Sequence, residues 1–282
     1  MSLFFNGADV ADSKKLRDAR YEWLQELEAA DIRTARPDAE GFLFAYQRAD
    51  EHYRELCNRH PRLRDRPDER EALIRLDDVL VRLQARGVKI PTPRTWILPV
   101  DSFLPDDLEY PLFVRTPKTS WKRGGAQARA RNPRQLQDEM DLLRRVFGWD
   151  TPIVVRKWLD VASAGKFMFG DAPQEIRTWI VDGRPTAWSF YYLHAVPNPV
   201  GFPPDARDLQ RITSWAAEIG AAFESRLIVA DFVRDRDGKW WFLEAGPGSA
   251  AGTAHEGVFK YVAECLRSGT SRFDGDAYGG RL

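Results

Sequence analysis

The chain of 282 residues is poor in sulfur and in lysine. Its two cysteines, Cys57 and Cys265, lie far apart and belong to no metal-spaced motif. That excludes a disulfide framework and a thiolate metal site, and it points to a reducing compartment. No apolar run approaches the roughly 20 residues that a membrane-spanning helix needs. The opening MSLFFNGADVADSKK lacks a basic segment followed by a long apolar one, so no secretory signal is expected and the expected location is cytoplasmic. Net charge is also missing: 42 basic residues balance 42 acidic ones. A chain-wide electrostatic grip on nucleic acid or on a membrane surface is thereby excluded, although a local basic cleft is not. Only nine of the basic residues are lysine, so each lysine carries more information than usual.

What is present is a globular mixture, 43% hydrophobic and 30% charged, long enough for two modest domains or one large one with lobes. Helical spacing marks residues 14–30, 51–61 and 68–87; the last carries the stripe Leu73, Leu76, Leu80, Leu83 and a capping Gly87. GFLFAY (41–46) reads as a strand. The prolines at 91 and 93 mark an extended link, which sets a domain boundary near residue 90. Beyond it come a strand at 110–115, a basic loop with Gly124-Gly125, and a helix at 132–148 capped by Asn132 with Pro133 at its first position. Further strands follow at 151–159 and 175–195, the latter two joined by an Asp182-Gly183 turn. Helices at 205–224 and about 253–267 flank one more hairpin.

That hairpin, DFVRDRDGKWWFLEAGPGS (231–249), poses the central question, because it sets Asp231 and Glu244 inside apolar runs. Asp237-Gly238 predicts a two-residue type I′ turn. Arg236 then pairs with Lys239, and Asp231 falls opposite Glu244. Val229, Val233, Trp240 and Phe242 are expected to flank the carboxylates, with Ala230, Phe232, Trp241 and Leu243 on the other face. Like charges opposed across a ladder are destabilising, and burial raises the cost. A hard divalent cation such as Mg²⁺ is the simplest compensation. A shared proton, or another turn register that sends one group to solvent, are the alternatives.

The spacing of Asp231, Glu244 and the following Gly-Pro-Gly-Ser resembles the metal hairpin of the ATP-grasp superfamily, with Gly246 where an Asn is usual. Other segments fall in the family's order. YPLFVRTPKTSWKRGG is similar to its first nucleotide strand and phosphate loop, IVVRKWLDV to its adenine hinge, and EIRTWIVDGRPTAWS to its E-x-R strand. Arg115 stands where Lys is usual, which is similar to the clade defined by one arginine and two lysines. The resemblance implies an α+β fold of two lobes clasping ATP over residues 91–282, with its hinge near 155–160 and its metal hairpin at 227–246. A small α/β lobe would precede it at 1–90. It also implies ATP and Mg²⁺ as cofactors. Arg115, Lys118, Lys157, Trp158, Leu159 and Glu175 would bind the nucleotide, Arg177 and Lys118 would serve catalysis, and Asp231 and Glu244 would hold the metal. Lys122, Ser249, His194 and His255 are lesser candidates.

The implied activity is ligation: ATP activates a carboxylate as an acyl phosphate, releasing ADP, and an amine displaces the phosphate. Small-molecule or peptide acids and amines are the expected partners, with no nucleic acid or membrane, for a monomer or homodimer. A phosphotransferase acting on a hydroxyl, or a non-catalytic ATP-binding module, are the alternatives.

Overall fold

The computed structural model describes residues 2–5, 29–44, 51–64, 66–100, 102–118, 129–168, 170–193, 195–196, 198–251 and 256–269. Lys122, Gly124-Gly125, His194, His255 and most of the expected 14–30 helix lie outside them. The first three strands, β1 (Ser2–Phe5), β2 (Ala30–Asp31) and β3 (Gly41–Phe44), form a parallel sheet in the order β2-β1-β3. Three helices follow: α1 (Glu51–Arg59), α2 (Pro67–Ile74) and α3 (Leu76–Ala85).

The sequence predicts one helix over 68–87, but the structure breaks it at Arg75, whose backbone is extended (φ −100°, ψ 113°). The break frees the Leu76 N–H, which donates to the Pro117 carbonyl at 3.1 Å. Of the predicted stripe, Leu73, Leu76 and Leu83 are buried and Leu80 is half-buried, while Val79, outside the prediction, is fully buried.

A four-stranded antiparallel sheet comes next, in the order β4-β7-β5-β6. It comprises β4 (Thr95–Leu98), β5 (Leu112–Arg115), β6 (Arg129–Ala130) and β7 (Ile153–Lys157), with α4 (Pro133–Phe147) packed on one face. The α4 start is as read: the Asn132 side chain accepts from Gln135 N–H, and Pro133 occupies the first turn. Residues 163–173 form a small hairpin of β8 (Ser163–Phe167) and β9 (Gly170–Pro173).

The last sheet runs β11-β10-β12-β13, all antiparallel. Its strands are β10 (Glu175–Val181), β11 (Arg184–Phe190), β12 (Leu227–Arg234) and β13 (Trp240–Pro247), with α5 (Ala206–Ala221) between the pairs and α6 (Glu256–Ser268) at the end. One face carries Ile176, Ile180, Ile228, Phe232 and Phe242, and is buried under α5, α2 and α3. The other carries Trp179, Val181, Leu227 and Val229, beneath α6 and beneath Leu3 and Phe42 of the first sheet. By strand alternation, Glu175, Arg177, Asp231 and Val233 continue this second face. None of these helices is long and apolar enough to cross a membrane.

The carboxylate hairpin departs from its expected turn. Asp237 is not in the left-handed region; only Gly238 is, at φ +83°. The loop has three residues closed by Asp235 and Lys239, the form in which a type I turn is followed by a left-handed glycine. The Asp235 side chain favours it, since one oxygen accepts the Lys239 N–H at 2.8 Å and the other accepts Trp241 Nε1 at 2.7 Å. Arg234 now pairs with Trp240 and Phe232 with Phe242, a slip of one residue. A bulge at Leu243 absorbs the slip, so Asp231 still faces Glu244. The cost falls on the facing prediction: Trp240 and Phe242 lie in the core with Phe232, not beside the carboxylates.

Candidate functional site

A cleft lies between the β4–β7 sheet and the second face of the β10–β13 sheet, and it encloses about 850 Å³ including its open mouth. Arg115, Lys157, Trp158, Leu159, Glu175 and Glu244 all line it. Six of the sequence-predicted residues are thus brought together from four separate segments. Three others are placed elsewhere. Arg177 and Asp231 lie beneath the lining, and Lys118 is exposed at the end of the described loop segment.

Strand alternation explains the arrangement. On β5, Leu112 and Val114 are buried against α4, so Phe113 and Arg115 point to the cleft. On β12, Asp231 pairs with Arg177 of β10 on one side and with Glu244 of β13 on the other. Arg177 binds Asp231 in a fork, Nε to Oδ1 at 2.8 Å and Nη2 to Oδ2 at 2.7 Å. Arg115 Nη1 reaches across from the other sheet to donate to Glu244 Oε2. The result is a row of four groups in which each acid has its own base: Arg177, Asp231, Glu244, Arg115.

This row corrects the premise that a metal ion is needed to make the facing acids tolerable. The protein supplies a guanidinium for each carboxylate, and charge-assisted pairs of this kind are strong. Their exposures differ. The side chains of Arg177 and Asp231 are 11% and 3% exposed, whereas Glu244 is 29% exposed toward the cleft. Burial pushes the Glu244 carboxyl up, but Arg115, with Arg177 and Arg156 behind it, outweighs burial and holds it below the usual carboxylate range. Arg177 is held above its ordinary value: burial opposes its charge, and Asp231 more than restores it. The Arg177 guanidinium also lies 4.6 Å from the centre of the Tyr191 ring. Burial pushes the Tyr191 phenol up to about 12, so it stays protonated at neutral pH.

The hinge differs in detail from expectation. Lys157 sits at the rim, where its ammonium pairs with Glu109 at 2.7 Å, and both side chains are more than half exposed. The Trp158 N–H already donates to the Pro111 carbonyl at 3.1 Å. That N–H is therefore already engaged within the protein. The Trp158 ring carries the Arg129 guanidinium 4.6 Å from its centre.

Sequence reasoning missed Arg156, which is 4% exposed and lines the cleft beside Arg115. Its signal was legible. Ile153 and Val155 are the buried face of β7, so period-two alternation puts Arg156, the residue before the rim Lys157, on the face toward the cleft. Burial, followed by repulsion from Arg115 and offset by Glu244, pushes the Arg156 guanidinium down to about 9; it remains charged at neutral pH.

Comparison with known proteins fits this geometry. A family model matches residues 104–264; it describes the ATP-grasp domain of the clade with one arginine and two lysines, family 3. Among solved structures, the chain is similar to a RimK domain ATP-grasp protein from Sphaerobacter thermophilus, at 11% identity and a TM-score of 0.61, covering 95% of this chain and 100% of that one. It is similar to D-alanine–D-alanine ligase from Bacillus anthracis complexed with ATP, at 14% identity and a TM-score of 0.59, covering 95% of each chain. It is also similar to VanG D-Ala:D-Ser ligase from Enterococcus faecalis, at 14% identity and a TM-score of 0.57, covering 81% of this chain and 71% of that one. At such identities these likenesses are likenesses of fold. No curated protein matches the sequence. The family match spans more than half of the chain and contains every strand of the two sheets that wall the cleft except β4, and on that ground the chain belongs to the ATP-grasp domains, in family 3 of the clade with one arginine and two lysines.

Proposed function

We propose that the chain is an ATP-dependent ligase that activates a carboxylate as an acyl phosphate, with release of ADP, for attack by an amine. The observation that carries this reading is the meeting of Arg115 and Glu244 across the cleft, from opposite sheets, with Arg156 alongside. Cations and hard oxygen donors converge in one open cleft, which is what phosphoryl transfer by positioning and charge stabilisation requires. In this reading residues 91–282 are the grasp, and residues 1–90 a preceding lobe. Arg115 binds phosphate, Lys118 reaches it from the loop, Lys157, Trp158 and Leu159 meet the base at the hinge, and Glu175 helps hold the site. Arg177 acts from beneath through Asp231.

The donor set fits Mg²⁺ with Glu244 as its accessible ligand; Asp231, expected as the second, is held in the Arg177 fork beneath the lining and supports Glu244 from there. No group of three His, Cys, Asp or Glu suited to a metal exists among the described residues. Mg²⁺ commonly takes one or two carboxylates and completes its shell with water and phosphate, so Glu244 alone is enough. A carboxylate oxygen has two lone-pair sites, so one that accepts from an arginine can also meet a metal. When bound, the ion would neutralise phosphate charge at the transferred group.

Two paired tests decide the activity. ADP and phosphate are expected only when Mg²⁺, an acid and an amine are all supplied; AMP and pyrophosphate as products would overturn the reading. A stable phosphorylated product without any amine would favour a phosphotransferase. Nucleotide binding that raises the melting temperature, with no turnover on any acid–amine panel, would favour a binding module. These three outcomes separate on one chromatographic assay of nucleotide products together with one melt.

A further inference from the structure

We infer that Arg156 is a positioning residue, which sets Glu244 in its place by gripping the backbone of the β13 bulge from the opposite sheet. Arg156 Nη1 donates to the Leu243 carbonyl at 2.6 Å, and Nη2 reaches the Phe242 carbonyl at 3.4 Å. Leu243 is the extra residue of the bulge, the one whose insertion returns Glu244 to the position opposite Asp231. A bulge re-aims the side chains beside it, and here the re-aimed side chain is the carboxylate facing the cleft. The guanidinium is itself anchored, because Nε donates to Thr95 Oγ1 at 3.1 Å and that hydroxyl donates on to the Pro93 carbonyl at 2.7 Å. Thr95 is the cross-strand partner of Arg156 in the β4–β7 ladder. On the other side of the bulge, the Phe242 N–H donates to the Pro91 carbonyl at 2.8 Å. Both tethers on the bulge therefore come from the segment 91–95 and its neighbour strand, so one sheet holds the irregular stretch of the other. Burying a guanidinium costs free energy unless its donors are matched. Its fork suits two adjacent carbonyls in a way that a lysine ammonium does not.

This inference rests on the proposed reading that Glu244 receives Mg²⁺ with a nucleotide. Titration calorimetry of ADP, with Mg²⁺ or with EDTA, tests it in the full chain. In the unaltered protein Mg²⁺ is expected to tighten ADP. Arg156→Lys keeps the charge and removes the fork. It should cut the Mg²⁺-dependent tightening, read as the ratio of ADP affinities with Mg²⁺ and with EDTA, by about 10-fold, the usual effect of removing a group that orients a metal ligand. Thr95→Val removes the anchor and keeps Arg156, and a smaller loss of the same kind is expected. A purely structural role would lower the melting temperature and leave the Mg²⁺ dependence intact, which overturns the inference. Should Arg156→Lys fail to fold, Thr95→Val decides: Mg²⁺ tightening equal to that of the unaltered protein overturns it. If the unaltered protein shows no Mg²⁺ effect on ADP, the ligase reading fails first. If it does and neither variant changes it, only the role of Arg156 falls.

Discussion

Two arginine–carboxylate pairs sit side by side in this molecule, and they do different work. Arg177 and Asp231 belong to adjacent strands of one sheet, in register, fork to fork, with almost no exposure. Arg115 and Glu244 belong to different sheets, meet across a cleft, and leave Glu244 partly open. The chemistry is the same in both pairs. What differs is whether a ligand can compete for the partners. A pair within one sheet and under cover is committed to the fold, whereas a pair across a cavity can be exchanged for phosphate and metal without unfolding anything. The comparison also explains why residues from one short sequence motif divide into a buried support and an accessible donor.

The largest expected effect falls on the committed pair. Asp231→Ala strands the Arg177 charge in the interior, and breaking a buried pair in that way costs about 3–5 kcal/mol. Urea denaturation without ligand measures it. Glu244→Gln should cost less, about 2 kcal/mol, because it lies between the exposed and buried limits and the cleft lets water reach Arg115. Its main effect should be on ligands: Mg²⁺-dependent ATP turnover is expected to disappear while the fold remains. Equal destabilisation by the two substitutions would erase the distinction between the pairs, and retained turnover in Glu244→Gln would remove Glu244 from the metal site.

An acid titration sharpens the same contrast. The Glu244 carboxyl is lowered in the folded protein, burial being outweighed by Arg115, from an ordinary value of 4.5. In the acid range the unfolded chain then binds more protons at this position than the folded one. Its contribution to stability is complete above the unfolded value and is lost as pH falls through the lowered one. Melts of the nucleotide-free protein in EDTA should therefore decline below pH 4.5, and Glu244→Gln should reduce that decline. An unchanged acid profile in the variant would mean that Arg115 does not hold the carboxylate in solution.

How far the sequence could be read is clearest in its two Asp-Gly turns. Asp182-Gly183 obeys the two-residue rule, with both residues left-handed at φ 49° and 74°. Asp237-Gly238 does not, because Asp235 offers its carboxylate to Lys239 and Trp241 and so stabilises a longer loop. The dipeptide is the same; the neighbour two residues upstream decides. Asp231 opposite Glu244 was legible even so, since the bulge compensates the slip, but the agreement came through a different register. The strands of the cleft, the α4 cap and the grouping of Arg115, Trp158, Leu159, Glu175 and Glu244 followed from periodicity and family resemblance. The partners of those residues did not. Glu109 for Lys157 and Arg115 for Glu244 are contacts between segments far apart in the chain, and local pattern carries no information on them. Arg156 was within reach of alternation alone, but the lysine beside it, at a position the family resemblance singles out, masked it.

The smallest expected change concerns the open pair only. Gly246 lies on β13 two residues beyond Glu244, opposite Val229, where the family pattern usually has Asn. A Cβ built there meets its nearest neighbour, Val229 Cγ2, at 3.9 Å, an ordinary contact. The space for a side chain therefore exists, and packing does not force the glycine. Gly246→Asn should be nearly neutral for stability, with the gain of removing glycine from a strand interior offset by the poor strand preference of Asn, within about 1 kcal/mol. Its amide oxygen would join Glu244 on the cleft side as a second hard donor. Calorimetry should then find ADP bound more tightly in the presence of Mg²⁺, and unchanged in EDTA. The committed pair should be indifferent, with the urea midpoint of Asp231→Ala the same in either background, because sites without shared partners add. A Gly246→Asn protein that binds Mg²⁺ and ADP no better than the parent would mean that the ion, if held at all, is not held on the Glu244 side of the ladder.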